Sequence, residues 1–164
     1  MTDRGADALS VSPDRLQVGP SSFNWDGDKL VIELNEISTP HAQRIQGTVT
    51  VTPSAITGIE VPLAEDGSHI WRPFAPTAKI DVALNRTGWT WSGHGYFDAN
   101  FGVNALEDDF DYWTWARLPR AGGTTAFYDA TRRDGSGLAV ALHFEPDGTV
   151  KTIDAPPKAR LRRS

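Results

Sequence analysis

The chain has 164 residues, 39% apolar and 23% charged, which fits one globular domain with a sizeable core. A formal charge of −5 leaves its body without the basic footprint of a nucleic-acid binder, and the absence of cysteine removes disulfides, thiolate metal sites, iron–sulfur ligation and cysteine nucleophiles. No run approaches the roughly 18 apolar residues of a membrane-spanning helix, and the opening MTDRGADALS lacks a signal peptide's apolar stretch, so a cytoplasmic setting is expected.

In chain order, the first ten residues can coil into one helical turn at most. SFNW and KLVIELNEIS (29–38) flank the turn signal Asp26-Gly27-Asp28 and predict a hairpin. RIQGTVTV places Ile45, Gly47, Val49 and Val51 on one parity, and AKIDVAL does the same with Ile80, Val82 and Leu84, as half-buried strands require. The run Arg72-Pro73-Phe74-Ala75-Pro76 reads as a break before the second of these. Further strands are predicted over 89–98, 112–118, 124–131 and 138–145. Turns fall at Arg120-Ala121-Gly122-Gly123 and Arg133-Asp134-Gly135-Ser136-Gly137, and Pro146-Asp147-Gly148 leads into TVKTI.

No amphipathic helix of twelve residues is predicted, and short strands with turns every 8–12 residues point to an all-β, antiparallel barrel or sandwich. One domain is expected over 1–155, followed by a basic tail, 156–164, in which Lys158, Arg160, Arg162 and Arg163 read as a solvated end rather than an anionic-lipid anchor. The acidic stretch 102–111, with Glu107, Asp108, Asp109 and Asp111, lacks the spacing of a calcium loop and reads as solvated.

Five of the six tryptophans lie between positions 71 and 115, which predicts an aromatic-lined interior. By alternation Trp89 and Trp91 share one face of their strand, and His94, Tyr96 and Asp98 share the other. Gly93 and Gly95 between them suit close backbone approach. His69 and Trp71 likewise share a parity. Taken alone they read as core residues, but with Tyr96 and Asp98 they supply an imidazole, an indole, a hydroxyl and an acid that can converge in one apolar pocket. Histidines at helical ligand spacing, a glycine-rich phosphate loop and a Gly-x-Ser-x-Gly elbow are all missing, so neither a metal nor a cofactor is expected.

The blocks HIWRPFAPTAKIDVAL (69–84), WSGHGYFDANFG (91–102), DYWTWARLP (111–119) and FYDATRRDGS (127–136) resemble the carotenoid 1,2-hydratases, or hydroxyneurosporene synthases. The resemblance covers nearly the whole chain. It implies a lipocalin-like all-β fold and addition of water to the terminal 1,2 double bond of acyclic carotenoids such as neurosporene and lycopene, in purple photosynthetic bacteria. The family's essential His-x-Trp and Tyr-x-Asp pairs fall on His69, Trp71, Tyr96 and Asp98, and Trp91, His94, Trp113 and Trp115 are the expected substrate-lining groups. Family members are longer, so the resemblance implies a C-terminal portion or a truncated form, whose open sheet edges favour association or contact with the inner membrane and leave little hydratase activity alone.

Hydration of a trisubstituted alkene needs a strong acid to protonate C2, leaving a tertiary carbocation at C1 for water to capture. Desolvation in an apolar pocket would keep the proton on Asp98. Trp71 would face the cation, an attraction of about 2 kcal/mol when desolvated. Tyr96 and His69 would orient the acid and activate the water. The partners are then an acyclic carotenoid and water, with no nucleic acid. The rival readings are a lipocalin-like cup for an apolar ligand, an inactive fragment of the hydratase, a polyene cyclase and a sugar-binding sandwich.

Overall fold

The computed structural model describes residues 4–85 and 88–157, so the four cations of the basic tail lie outside the described residues. The regular structure of the described chain is almost entirely β-strand, with one 3-10 turn at Ala6–Ala8 and one four-residue helix. Neither of its two sheets closes on itself among the described residues, so the expected all-β antiparallel class holds in its open form and not as a barrel. Among those residues no helix is long and apolar enough to cross a membrane.

Two compact units divide the chain. The first takes residues up to 54 and 78–97. It is a meander of β1 (Leu9–Val11), β2 (Arg15–Val18), β3 (Ser21–Asp26), β4 (Lys29–Ile37) and β5 (Arg44–Pro53). β5 then pairs with the later half of β7 (His69–Leu84). The predicted hairpin closes with Asp26 opposite Lys29, and Gly27 adopts the positive φ of 67° that a two-residue connection demands. Leu30, Val51 and Ala78 form the core of this unit, with Phe23, Trp25, Ile32, Ile80 and Phe97 packed around them. Sequence reading did not predict β1 and β2, since their apolar residues Leu9, Val11, Leu16 and Val18 are exposed and carry no burial pattern.

The second unit takes residues 55–77 and 98 onward. It contains β6 (Val61–Pro62), the first half of β7, the end of β8 (Thr90–Gly102), and α1 (Leu106–Asp109). A four-stranded sheet follows, built from β9 (Phe110–Arg120), β10 (Gly123–Arg132), β11 (Gly137–Phe144) and β12 (Val150–Thr152) in the order β12-β11-β10-β9. Ala126, Tyr128 and Ala130 of β10, with Leu142 and Phe144, bury one face of that sheet against Leu63, Trp71 and Phe110. This is two layers around a single apolar centre.

The break expected at 72–76 is not there: β7 runs unbroken from His69 to Leu84. Its ladder to β6 ends at Trp71 and its ladder to β5 begins at Ala78, so Pro73 and Pro76 fall where neither ladder asks for their missing N–H. Thr57 serves the carbonyls there instead, its hydroxyl donating to Pro73 O at 2.6 Å and its N–H to Phe74 O at 2.9 Å.

Candidate active site

β7 positions the first two residues of interest by alternation. His69, Trp71, Pro73 and Ala75 are its buried odd-numbered positions in the second unit, with His69 only 3% exposed and Trp71 0%. The Trp71 indole Nε1–H donates to Asp98 Oδ2 at 2.8 Å, tying β7 to β8. On its other side the indole lies 5.7 Å from the Tyr128 ring, tilted by 44°. Burial pushes the Tyr128 phenol above its ordinary range, and the nearby Asp98 charge adds to the shift.

His69 has a different carboxylate. Its Nε2 stands 2.6 Å from Asp109 Oδ2, which also accepts from Asn104 Nδ2 at 3.2 Å. A carboxylate can only accept, so Nε2 carries the hydrogen. Phe110 packs edge-on against the imidazole, 5.3 Å between ring centres. The Nδ1 edge lies over Gly102, where a Cβ would come within 2.5 Å of Nδ1. A cavity of about 190 Å³ opens beside it, lined by His69, Asn100, Gly102 and Asn104 among others.

Two features of β9 and β10 place Asp109. A bulge makes Tyr112 pair with Thr131 and Phe110 with Arg132, leaving Asp111 as the extra residue. The strand's parity therefore flips, and Phe110 turns into the core at 2% exposure where unbroken alternation would put Asp111. Arg133 then clamps α1: its guanidinium donates to Glu107 O at 3.1 and 2.8 Å, its backbone N–H donates to Asp109 O at 2.9 Å, and it pairs with Asp111. The acidic stretch is thus not simply a solvated loop, because Asp109 is half-buried against a histidine and Asp111 holds an arginine.

The sequence profile of the family described as Carotenoid hydratase CrtC matches residues 1–164. The chain belongs to the carotenoid hydratase family. A relative from Cereibacter sphaeroides, named Acyclic carotenoid 1,2-hydratase, is 57% identical over 100% of this chain and 59% of its own length. Relatives of the same name from Rhodobacter capsulatus and Thiocapsa roseopersicina are 52% and 43% identical over 96% and 98% of this chain, and 56% and 40% of their own lengths. The chain therefore spans roughly half the length of the curated relatives it matches. No solved structure matches it.

Within this member of the hydratase family, the structure brings Trp71 and Asp98 into contact and sets His69 two residues from Trp71 on the same strand. Tyr96 is half-buried, two residues before Asp98 on β8, and counts with the first unit. Of the expected aromatic lining only Trp71 is fully inside. Trp91 and His94 are exposed in the first unit, and Trp113 and Trp115 are 43% and 40% exposed in the second. The register puts Trp115 opposite Tyr128 and Trp113 opposite Ala130, so these two tryptophans extend the apolar face of the β9–β12 sheet toward its β9 edge. Sequence reading missed Tyr128 and Asp109. The alternation of 124–131 pointed to Tyr128 as an inward residue, whereas nothing local pointed to Asp109.

Proposed function

We propose that this chain carries the acid chemistry of an acyclic carotenoid 1,2-hydratase, adding water across the terminal 1,2 double bond of neurosporene or lycopene. The observation that carries the reading is the Trp71–Asp98 hydrogen bond inside an aromatic core. An indole N–H is a donor only, so its bond to Oδ2 fixes the orientation of the Asp98 carboxyl group. Asp98 protonates C2, the tertiary cation forms at C1, and a water oxygen bonds to C1.

Trp71 has no exposed surface, so it acts here by aiming Asp98 and not by facing the cation. His69, about 7 Å from Trp71 along an extended strand, takes the proton that the captured water releases. Tyr96 is assigned to orienting the acid on strand alternation and family resemblance. Trp113 and Trp115 supply apolar surface for the polyene, and Trp91 and His94 are assigned to the substrate from the sequence alone. The reaction needs no cofactor. Because the polyene dissolves in the membrane, the enzyme meets it there from the cytoplasmic side.

The test is incubation of this chain with lycopene in detergent, beside the Cereibacter sphaeroides relative, followed by chromatography for the 1-hydroxy product. Product from this chain that disappears in Asp98→Asn supports the reading. Product from the relative and none from this chain overturns it.

A further inference from the structure

We infer that Asp109 is a positioning residue for the water-capture step, acting through His69, and that Gly102 keeps the working edge of that imidazole open. The inference rests on the hydratase reading, but its geometry stands independently. His69 is 3% exposed, and a buried imidazole with a carboxylate at 2.6 Å from Nε2 is locked in one tautomer and one ring orientation. With the hydrogen on Nε2, the lone pair resides on Nδ1, the edge that faces Gly102. Any side chain at position 102 would fill that space, its Cβ 2.5 Å from Nδ1 and 2.6 Å from Ser68 O. The bare glycine instead leaves room continuous with the 190 Å³ cavity that both residues line.

The carboxylate is itself held. Asn104 Nδ2 donates to the same Oδ2 at 3.2 Å, and Arg133 holds the backbone of α1 at the carbonyls of Glu107 and of Asp109 itself. Asp66, whose charge also reaches His69, is held below the usual carboxylate range by its Ser68 hydrogen bonds. Asp109 is the one at hydrogen-bond distance from the ring.

The step balances as follows. The water oxygen donates a lone pair to the C1 cation, forming the C–O bond, and one water proton passes to His69 Nδ1. The products are the tertiary alcohol and an imidazolium whose Nε2–H faces Asp109. The imidazolium then releases its proton to solvent and the Asp98 carboxylate takes one from solvent, so both groups are restored and one water is added overall. A base oriented by a carboxylate in this way contributes about 10²- to 10⁴-fold.

The experiment compares the unaltered chain with Asp109→Asn and Asp109→Glu, by steady-state hydration of lycopene and by ¹⁵N NMR of the His69 ring. The expected results are a protonated Nε2 and bare Nδ1 in the unaltered chain, and a kcat about 100-fold lower in Asp109→Asn with KM within about two-fold. Asp109→Glu should recover part of that loss while the melting temperature stays close to that of Asp109→Asn. Hydration by Asp109→Asn within about three-fold of the unaltered rate overturns the inference and leaves the hydratase reading intact, as does a ring protonated at Nδ1. If the unaltered chain makes no product while the ring shows the Nε2–H tautomer, the hydratase reading has failed. The water-capture role falls with it, and only the dyad as a structural pair remains.

Discussion

Asp98 Oδ2 accepts its hydrogen bond from the indole of Trp71, a residue with no exposed surface, so the placement of the acid is set by the packing of the core. Two substitutions separate the acid from its support. Asp98→Asn keeps the shape and the acceptor oxygen, and is expected to abolish hydration while the melting temperature moves by only a few degrees. Trp71→Phe keeps most of the packing but removes the donor, and is expected to retain a small part of the rate at a stability cost of about 1–3 kcal/mol. Unaltered activity in Trp71→Phe, measured by product chromatography beside urea unfolding, would show that the hydrogen bond does not aim the acid.

Burial also separates the tryptophans by what they contribute to folding. Trp71→Ala should cost about 3–5 kcal/mol, because the cavity it leaves lies between Leu63, Tyr128 and Phe110 and cannot collapse freely. Trp91→Ser, at a site 51% exposed, should stay within about 0.5 kcal/mol of the unaltered chain. Denaturant midpoints for the two variants check this contrast.

The raised Tyr128 phenol makes stability depend on alkaline pH with a definite sign. In the unfolded chain the phenol titrates near its ordinary value of 10.0, and in the folded chain it titrates higher, because burial and then the Asp98 charge oppose the phenolate. The folded state therefore holds the proton more tightly. Its contribution is complete below about pH 10 and is lost as pH rises through the folded value. Tyr128→Phe should flatten the fall in denaturant midpoint between about pH 9 and pH 11, and an unchanged slope would exclude Tyr128 as its source.

The acidic stretch divides into parts with different work. Glu107 and Asp108 are exposed, and it is Glu107's carbonyl rather than its side chain that Arg133 holds. Replacing both by Gln and Asn should leave hydration within about two-fold and the melting temperature within a few degrees. A larger loss of either would show that charge on α1, and not only the Asp109 carboxylate, supports the imidazole.

The elements legible from the residues alone were those whose two faces differ. The alternation in RIQGTVTV and AKIDVAL, the Asp-Gly turn and the glycine-bearing connections after 120 and 132 predicted β5, the later half of β7, the β3–β4 hairpin and the β9–β11 ladder within a few residues, because period-two burial and positive-φ turns are local properties. The pairs His69–Trp71 and Tyr96–Asp98 were likewise legible, through parity and through the family's motifs. The tertiary structure alone decided which partner each side chain meets. The bulge at Asp111 reverses the parity of β9, seats Phe110 against His69, and with Arg133 brings Asp109 to the imidazole across 40 residues of sequence. The prolines of β7 fall between the stretches of that strand that its β6 and β5 ladders use. Both outcomes depend on which backbone groups a neighbouring strand leaves unclaimed, a quantity that does not exist until the sheets have formed.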